Sequence, residues 1–103
     1  LLISELRTVK ADELWMSEAF QRESLGIHFT WMNHPEDVAR LVPRIEKILR
    51  PLSPRPHWGK WFTMTTGETT GTYPRFGDFS LLANKLDPNG KFRNAYTERV
   101  LGL

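Results

Sequence analysis

Cysteine is absent from all 103 residues. That excludes disulfides and thiolate metal ligation, and it leads to the expectation of a reducing, cytoplasmic setting. No apolar run approaches the roughly 20 residues needed to cross a bilayer, and no secretory signal pattern is present. No membrane partner is therefore expected. Blocks of like charge are missing as well: 14 basic and 12 acidic residues are interspersed, leaving a net charge of +2. So even a distribution argues against a nucleic-acid partner. Neither GxGxxG nor a P-loop occurs, so the chain holds no nucleotide-phosphate loop of its own. His28, His34 and His57 lack metal-ligand spacing and have no Cys beside them, which argues against a metal site. Ser4 and Ser17 stand in no nucleophile-elbow context.

What is present is a single modest domain of alternating and helical patterns. Residues 2–10 alternate, with Ile3, Glu5, Arg7 and Val9 on one face, and predict a strand. "ADELWMSEAF" predicts one or two turns of helix. "SLGIHFTWM" predicts a second strand, with Leu25, Ile27, Phe29 and Trp31 opposite His28 and Thr30. "NHPEDVARLVPRIEKILRPL" is the strongest helix pattern: Asn33 or His34 as cap, Pro35 in the first turn, Glu36 and Asp37 at the positive end. Its apolar stripe runs through Val38, Leu41, Val42, Ile45, Ile48 and Leu49. Pro43 inside it, at a cost of about 3 kcal/mol, predicts a kink or two segments.

"PLSPRP" predicts a stiff extended connector. "HWGKWFTM" is strand-like, and "TTGETTGTYPRFG" predicts an exposed loop. "DFSLLANKL" predicts a second helix with Phe79, Leu82, Ala83 and Leu86 inward, and "DPNG" a turn. In the tail, Phe92, Tyr96 and Val100 need something to cover them. The sum is an α+β fold, an antiparallel sheet with helices on one side. The chain opens straight into a strand, which leads to the expectation that it is a piece of something longer.

Two places stand out chemically. If the strands are neighbours, Glu5, Arg7, His28 and Thr30 line one patch of sheet. A solvated outer face explains such a patch, and so does a polyol or sugar site that needs several placed donors and acceptors. The second place is "RPHWGKW", residues 55–61, where Lys60 lies between Trp58 and Trp61, and Gly59 permits close approach. A cation held against aromatics can stabilise a developing alkoxide or negative charge on a flavin.

The segments "ISELRTV", "IHFTW", "RPHWGK" and "DPNGKFRN", in this order and at these separations, resemble the C-terminal region of FAD-dependent sugar-alcohol and aldonolactone oxidases of the vanillyl-alcohol-oxidase superfamily. The likeness runs nearly end to end and is greatest to the alditol and xylitol oxidases. It implies that residues 1–103 are the C-terminal part of a flavoprotein substrate domain, with the FAD-binding domain upstream as partner. It further implies that Glu5, Arg7 and Thr30 bind substrate hydroxyls and that Lys60 joins Arg7 at the oxygen of the carbon being oxidised. His28 shares that pocket as a catalytic residue, and His57 contacts the flavin. The implied reaction is hydride transfer from a hydroxyl-bearing carbon of a polyol to flavin, with O2 reduced to H2O2. Lactone substrates, and a dehydrogenase in place of an oxidase, stay open. So do a carbohydrate-binding module without chemistry and a structural or dimerisation piece. Taken alone, the chain is expected to be inactive and to self-associate.

Overall fold

The alternation at the start of the chain becomes a hairpin. In the computed structural model, which describes residues 1–103, β1 (Ile3–Val9) and β2 (Ser24–Thr30) pair antiparallel. The register sets Ile3 opposite Thr30, Glu5 opposite His28 and Arg7 opposite Gly26. Directly opposed residues share a face. Glu5, Arg7, His28 and Thr30 therefore lie on one side, with Leu6, Leu25, Ile27 and Phe29 on the other. Most residues of both strands are exposed. Even the apolar face is open, with Leu6 68% and Leu25 56% exposed.

Between the strands the expected helical turns do not form. Residues 11–22 fold as successive turns closed by an isolated bridge between Asp12 and Phe20. The Asp12 carboxylate is the reason. Its Oδ1 accepts the Leu14 amide at 2.9 Å and its Oδ2 accepts the Ser17 hydroxyl at 2.5 Å. Such local side-chain bonds draw the backbone away from a helical ladder. Ala19 and Phe20 are buried by the result.

Helix α1 (Pro35–Leu49) begins with proline at its first turn and carries Glu36 and Asp37 there, as the sequence predicts. His34 occupies the cap position without a side-chain bond. Pro43 does not split the helix, which runs unbroken through it. The proline ring lies on the exposed side, while Val38 and Val42 are buried and anchor the turn that precedes it. A single 3-10 turn, Arg50–Leu52, follows, and Ser53 reverses the chain at φ 49°.

The segment expected to be an exposed loop is instead part of the core. Thr65 and Glu68 form a reciprocal capping box that starts α2 (Thr66–Thr70). Glu68 also pairs with Arg50 at the end of α1. Thr69 is fully buried and Tyr73 nearly so. Polar composition misleads here because the cap satisfies the backbone and leaves a threonine methyl and a phenol ring to pack. The strand-like 57–64 segment pairs with no other strand. It keeps the alternation, though: Phe62 and Met64 are buried, while Trp61 and Thr63 are exposed. Glu46 on α1 fastens it by accepting the Thr63 amide at 2.7 Å and the Thr63 hydroxyl.

Helix α3 (Phe76–Leu86) forms where predicted, but no residue of it is buried, and Leu86 is 73% exposed. An Asp87 carboxylate receives the Lys91 and Phe92 amides, and Gly90 at φ 65° completes the turn. The tail becomes α4 (Ala95–Leu101), capped by Asn94 at one end and by left-handed Gly102 at the other. Val100 is its anchor, fully buried against Phe62 and Met64. Phe92 remains uncovered.

The fold is α+β, with one two-stranded antiparallel sheet. Its core is small: nine residues are buried. The radius of gyration is 15.0 Å, against about 13 Å for a compact domain of 100 residues. The molecule is thus more spread out than its length requires. No helix is long and apolar enough to cross a membrane.

Candidate active site

Glu5 organises the polar face of the hairpin. Its Oε2 accepts a hydrogen bond from Arg7 Nη2 at 2.8 Å and lies 3.2 Å from His28 Nδ1. The first contact joins residues two apart on one strand, and the second crosses directly between paired positions. The bond from His28, and then the charge of Arg7, hold the Glu5 carboxyl below the usual carboxylate range. An ionised carboxylate can only accept, so His28 Nδ1 carries the hydrogen and Nε2 is left facing outward as the second ring nitrogen. Thr30 stands on the same face, opposite Ile3, and is half-buried. The four side chains thus offer a carboxylate, a guanidinium, an imidazole and a hydroxyl on one open surface.

The other expected contributors, His57 and Lys60, lie on a turn well along the chain. Lys60 donates its amide to the His57 carbonyl at 3.0 Å, and the Gly59 amide reaches His57 Nδ1 at 3.0 Å. A side chain at position 59 would press on the imidazole, its Cβ only 3.3 Å from His57 Cε1. Glycine lets the turn close on the imidazole without pushing it aside. Both His57 and Lys60 are exposed, and the Lys60 ammonium makes no hydrogen bond or ion pair. No such bond joins Lys60 or His57 to Glu5, Arg7, His28 or Thr30. Two shallow clefts, one beside Trp31 and Val38 and one between Leu86 and Phe92, include none of these residues.

The indoles flanking Lys60 differ. Trp61 is 53% exposed. Trp58 turns inward, lies at a tilt of 31° against Tyr73 with ring centroids 5.1 Å apart and packs against the Phe62, Met64 and Val100 cluster. Its Nε1–H donates to the Met16 carbonyl at 2.8 Å, and its own carbonyl accepts the Tyr96 hydroxyl. Only one of the two is thus free to wall a ligand.

Two residues to which the sequence reading assigns no role prove central. Arg55 sends Nε to the Thr72 carbonyl at 2.9 Å and Nη1 to the Phe20 carbonyl at 2.9 Å, with Ser17 and Glu18 carbonyls at 3.4 and 3.3 Å. Its guanidinium also lies 4.8 Å from the Tyr73 ring centre. Tyr73, whose hydroxyl is pushed up by burial, forms the floor beneath both Arg55 and Trp58. The available signal was the Arg-Pro pair in "RPHW", which fixes a backbone that a guanidinium can then tie down.

The sequence pattern of the D-arabinono-1,4-lactone oxidase family matches residues 4–100. The chain belongs to that family. It is 43% identical over 97 residues to an alditol oxidase of a Streptomyces species, which covers 94% of this chain and 23% of the relative. Identity to the L-gulonolactone oxidase of Bos taurus is 35% over 99 residues, covering 93% and 22%. An L-gulono-1,4-lactone dehydrogenase of Mycobacterium tuberculosis is 33% identical over 100 residues, covering 95% and 23%. The chain thus spans less than a quarter of the length of the curated relatives it matches. Within the family region, both the hairpin face and the 55–61 turn are included.

Proposed function

We propose that this chain supplies the substrate-binding side chains of an FAD-dependent oxidase acting on a polyol of the xylitol or sorbitol kind, with H2O2 as second product. The observation that carries the reading is the Glu5 carboxylate held between Arg7 and His28 on one exposed strand face. The greater identity to the alditol oxidase than to the lactone enzymes supports a polyol. FAD, held mainly by a domain outside this chain, supplies a two-electron acceptor for the carbinol carbon. The residues here fit its outer edge: His57 and Lys60 present an exposed imidazole and an unpaired ammonium on one turn.

Arg7 and Lys60 act as donors to the substrate oxygen and stabilise it as its proton leaves. His28 Nε2, opposite the nitrogen fixed by Glu5, is the position that receives that proton. Glu5 keeps Arg7 aligned and accepts from a neighbouring hydroxyl, and Thr30 adds a hydroxyl contact. The chain's own cysteine-free composition goes with a cytoplasmic enzyme.

The test is peroxide formation from xylitol and sorbitol by the full-length enzyme, beside its Arg7→Ala variant. Loss of turnover with flavin retained is the expected result. Unchanged turnover after Arg7→Ala would remove the hairpin face from the site. The isolated 103-residue chain, given FAD and xylitol, is expected to produce no peroxide and to run as oligomers on sizing.

A further inference from the structure

The Lys60 ammonium makes no hydrogen bond or ion pair, yet the chain just before it is held by several long-range bonds. The bracing begins at Arg55. One guanidinium spans the Thr72 carbonyl on one side and the carbonyls of Ser17, Glu18 and Phe20 on the other. It thereby ties the 11–22 turns to the end of the α2 segment, with residue 55 between them. Pro56 fixes the next φ. Trp58 is then held from three directions: amide to Glu18 Oε1 at 3.4 Å, indole N–H to the Met16 carbonyl, and carbonyl to the Tyr96 hydroxyl. Only after these anchors does the chain turn and release Lys60.

Burial lowers the affinity of Arg55 for its proton, so the guanidinium sits there against a desolvation cost. A surface arginine would not be kept in that environment without its four carbonyl partners. Of those carbonyls Ser17's also accepts the Phe20 amide, while those of Glu18, Phe20 and Thr72 take their donor from the guanidinium. An ammonium with three donors on a flexible stem could not reproduce the planar fork that reaches Thr72 and Phe20 together.

We propose that Arg55, seconded by Trp58, is a positioning residue for Lys60: it fixes the 57–60 turn so that the ammonium is delivered to one place without contacts of its own. The role of Lys60 itself rests on the proposed function above. A misplacement of about 1 Å at a reacting centre can cost roughly a hundredfold in rate, which is the scale on which Arg55 acts.

The experiment uses the full-length, flavin-loaded enzyme with Arg55→Lys, with Trp58→Phe as a milder variant that keeps the ring packing but loses the bond to Met16. Amide hydrogen exchange at Gly59 and Lys60 is measured first. Both variants are expected to speed it by about tenfold, the scale of one lost hydrogen bond, with bound flavin unchanged. Unaltered exchange in both would overturn the positioning claim whatever the activity shows. Next, kcat is compared in the wild-type and Lys60→Ala backgrounds. Arg55→Lys is expected to lower it by tenfold or more in the first and hardly at all in the second. Equal losses in both would reduce Arg55 to a general structural residue and sink the proposal. A Lys60→Ala enzyme with full kcat would instead sink the functional reading of Lys60, while the exchange result still decides whether Arg55 holds the turn.

Discussion

The hairpin and the segment from Arg55 to Tyr73, here called the strap, hold the side chains of the proposed site in opposite ways. On the hairpin, strand register alone sets Glu5 against His28, and both sheet faces lie open. On the strap, position is set by tertiary bonds: Arg55 to four carbonyls, Trp58 to Met16 and Tyr96, Val100 packed beneath. The first region preassembles its chemistry by side-chain pairing. The second holds its backbone in place and leaves the Lys60 ammonium bare. The proposed site, drawing on both, would have one half ordered by local geometry and one half ordered by the core.

The contrast can be broken at its strongest point first. In the full-length enzyme Lys60→Ala is expected to lower kcat about a hundredfold, from losing one donor worth on the order of 3 kcal/mol to a developing oxyanion. Flavin absorbance per protein should stay constant. Parallel losses of flavin and turnover would move Lys60 to cofactor retention.

Stability separates the regions next. Val100→Ala removes two methyl groups from a site with no solvent exposure and should cost roughly 2 kcal/mol in denaturant unfolding. Leu6→Ala on the hairpin, 68% exposed, should stay within about 0.5 kcal/mol in the 103-residue chain. A larger loss from Leu6→Ala in the full-length protein than in the chain would show the hairpin's apolar face covered there.

The smallest effect concerns pH. The folded Glu5 carboxyl is depressed by His28 and Arg7. Whatever stability this cluster adds is complete above the ordinary carboxylate range and fades as pH falls through the depressed value. Carbon-detected NMR titration should place the Glu5 midpoint below that of free glutamate, and His28→Ala should raise it. A midpoint indifferent to His28→Ala would mean that the cross-strand bond is absent in solution.

Much of this arrangement was readable from residue order. Period-two alternation located both strands and set Glu5, Arg7, His28 and Thr30 on one face, because strand geometry leaves no other choice once the strands pair. The cap, proline and acidic residues likewise announced α1. Failures came where local bonds or tertiary burial overrode composition. Asp12 captured nearby donors and prevented a helix. Tyr73, in a stretch rich in threonine and glycine, became core because Trp58 and Arg55 come down on it, and Thr69 is buried on α2 just before it. Pro43 could be tolerated because the valines of the turn before it are buried. The strand-like 57–64 segment kept its alternation without a partner, since Glu46 and the α4 anchor replace a ladder. Lys60 and His57 stand out in sequence, but the bracing that directs them is long-range, and no spacing rule reveals it.

Glu68 joins two pieces of the chain with one carboxylate: it closes the capping box with Thr65 that starts α2, and it receives Arg50 from the end of α1. Bonds to Thr65 hold its carboxyl in the ionised form. Protonation or removal of that single group releases the start of one helix and the end of another together. Glu68→Gln is accordingly expected to speed amide exchange at the first turn of α2 and to free Arg50, while the body of α1, which the ion pair touches only at its end, keeps its protection.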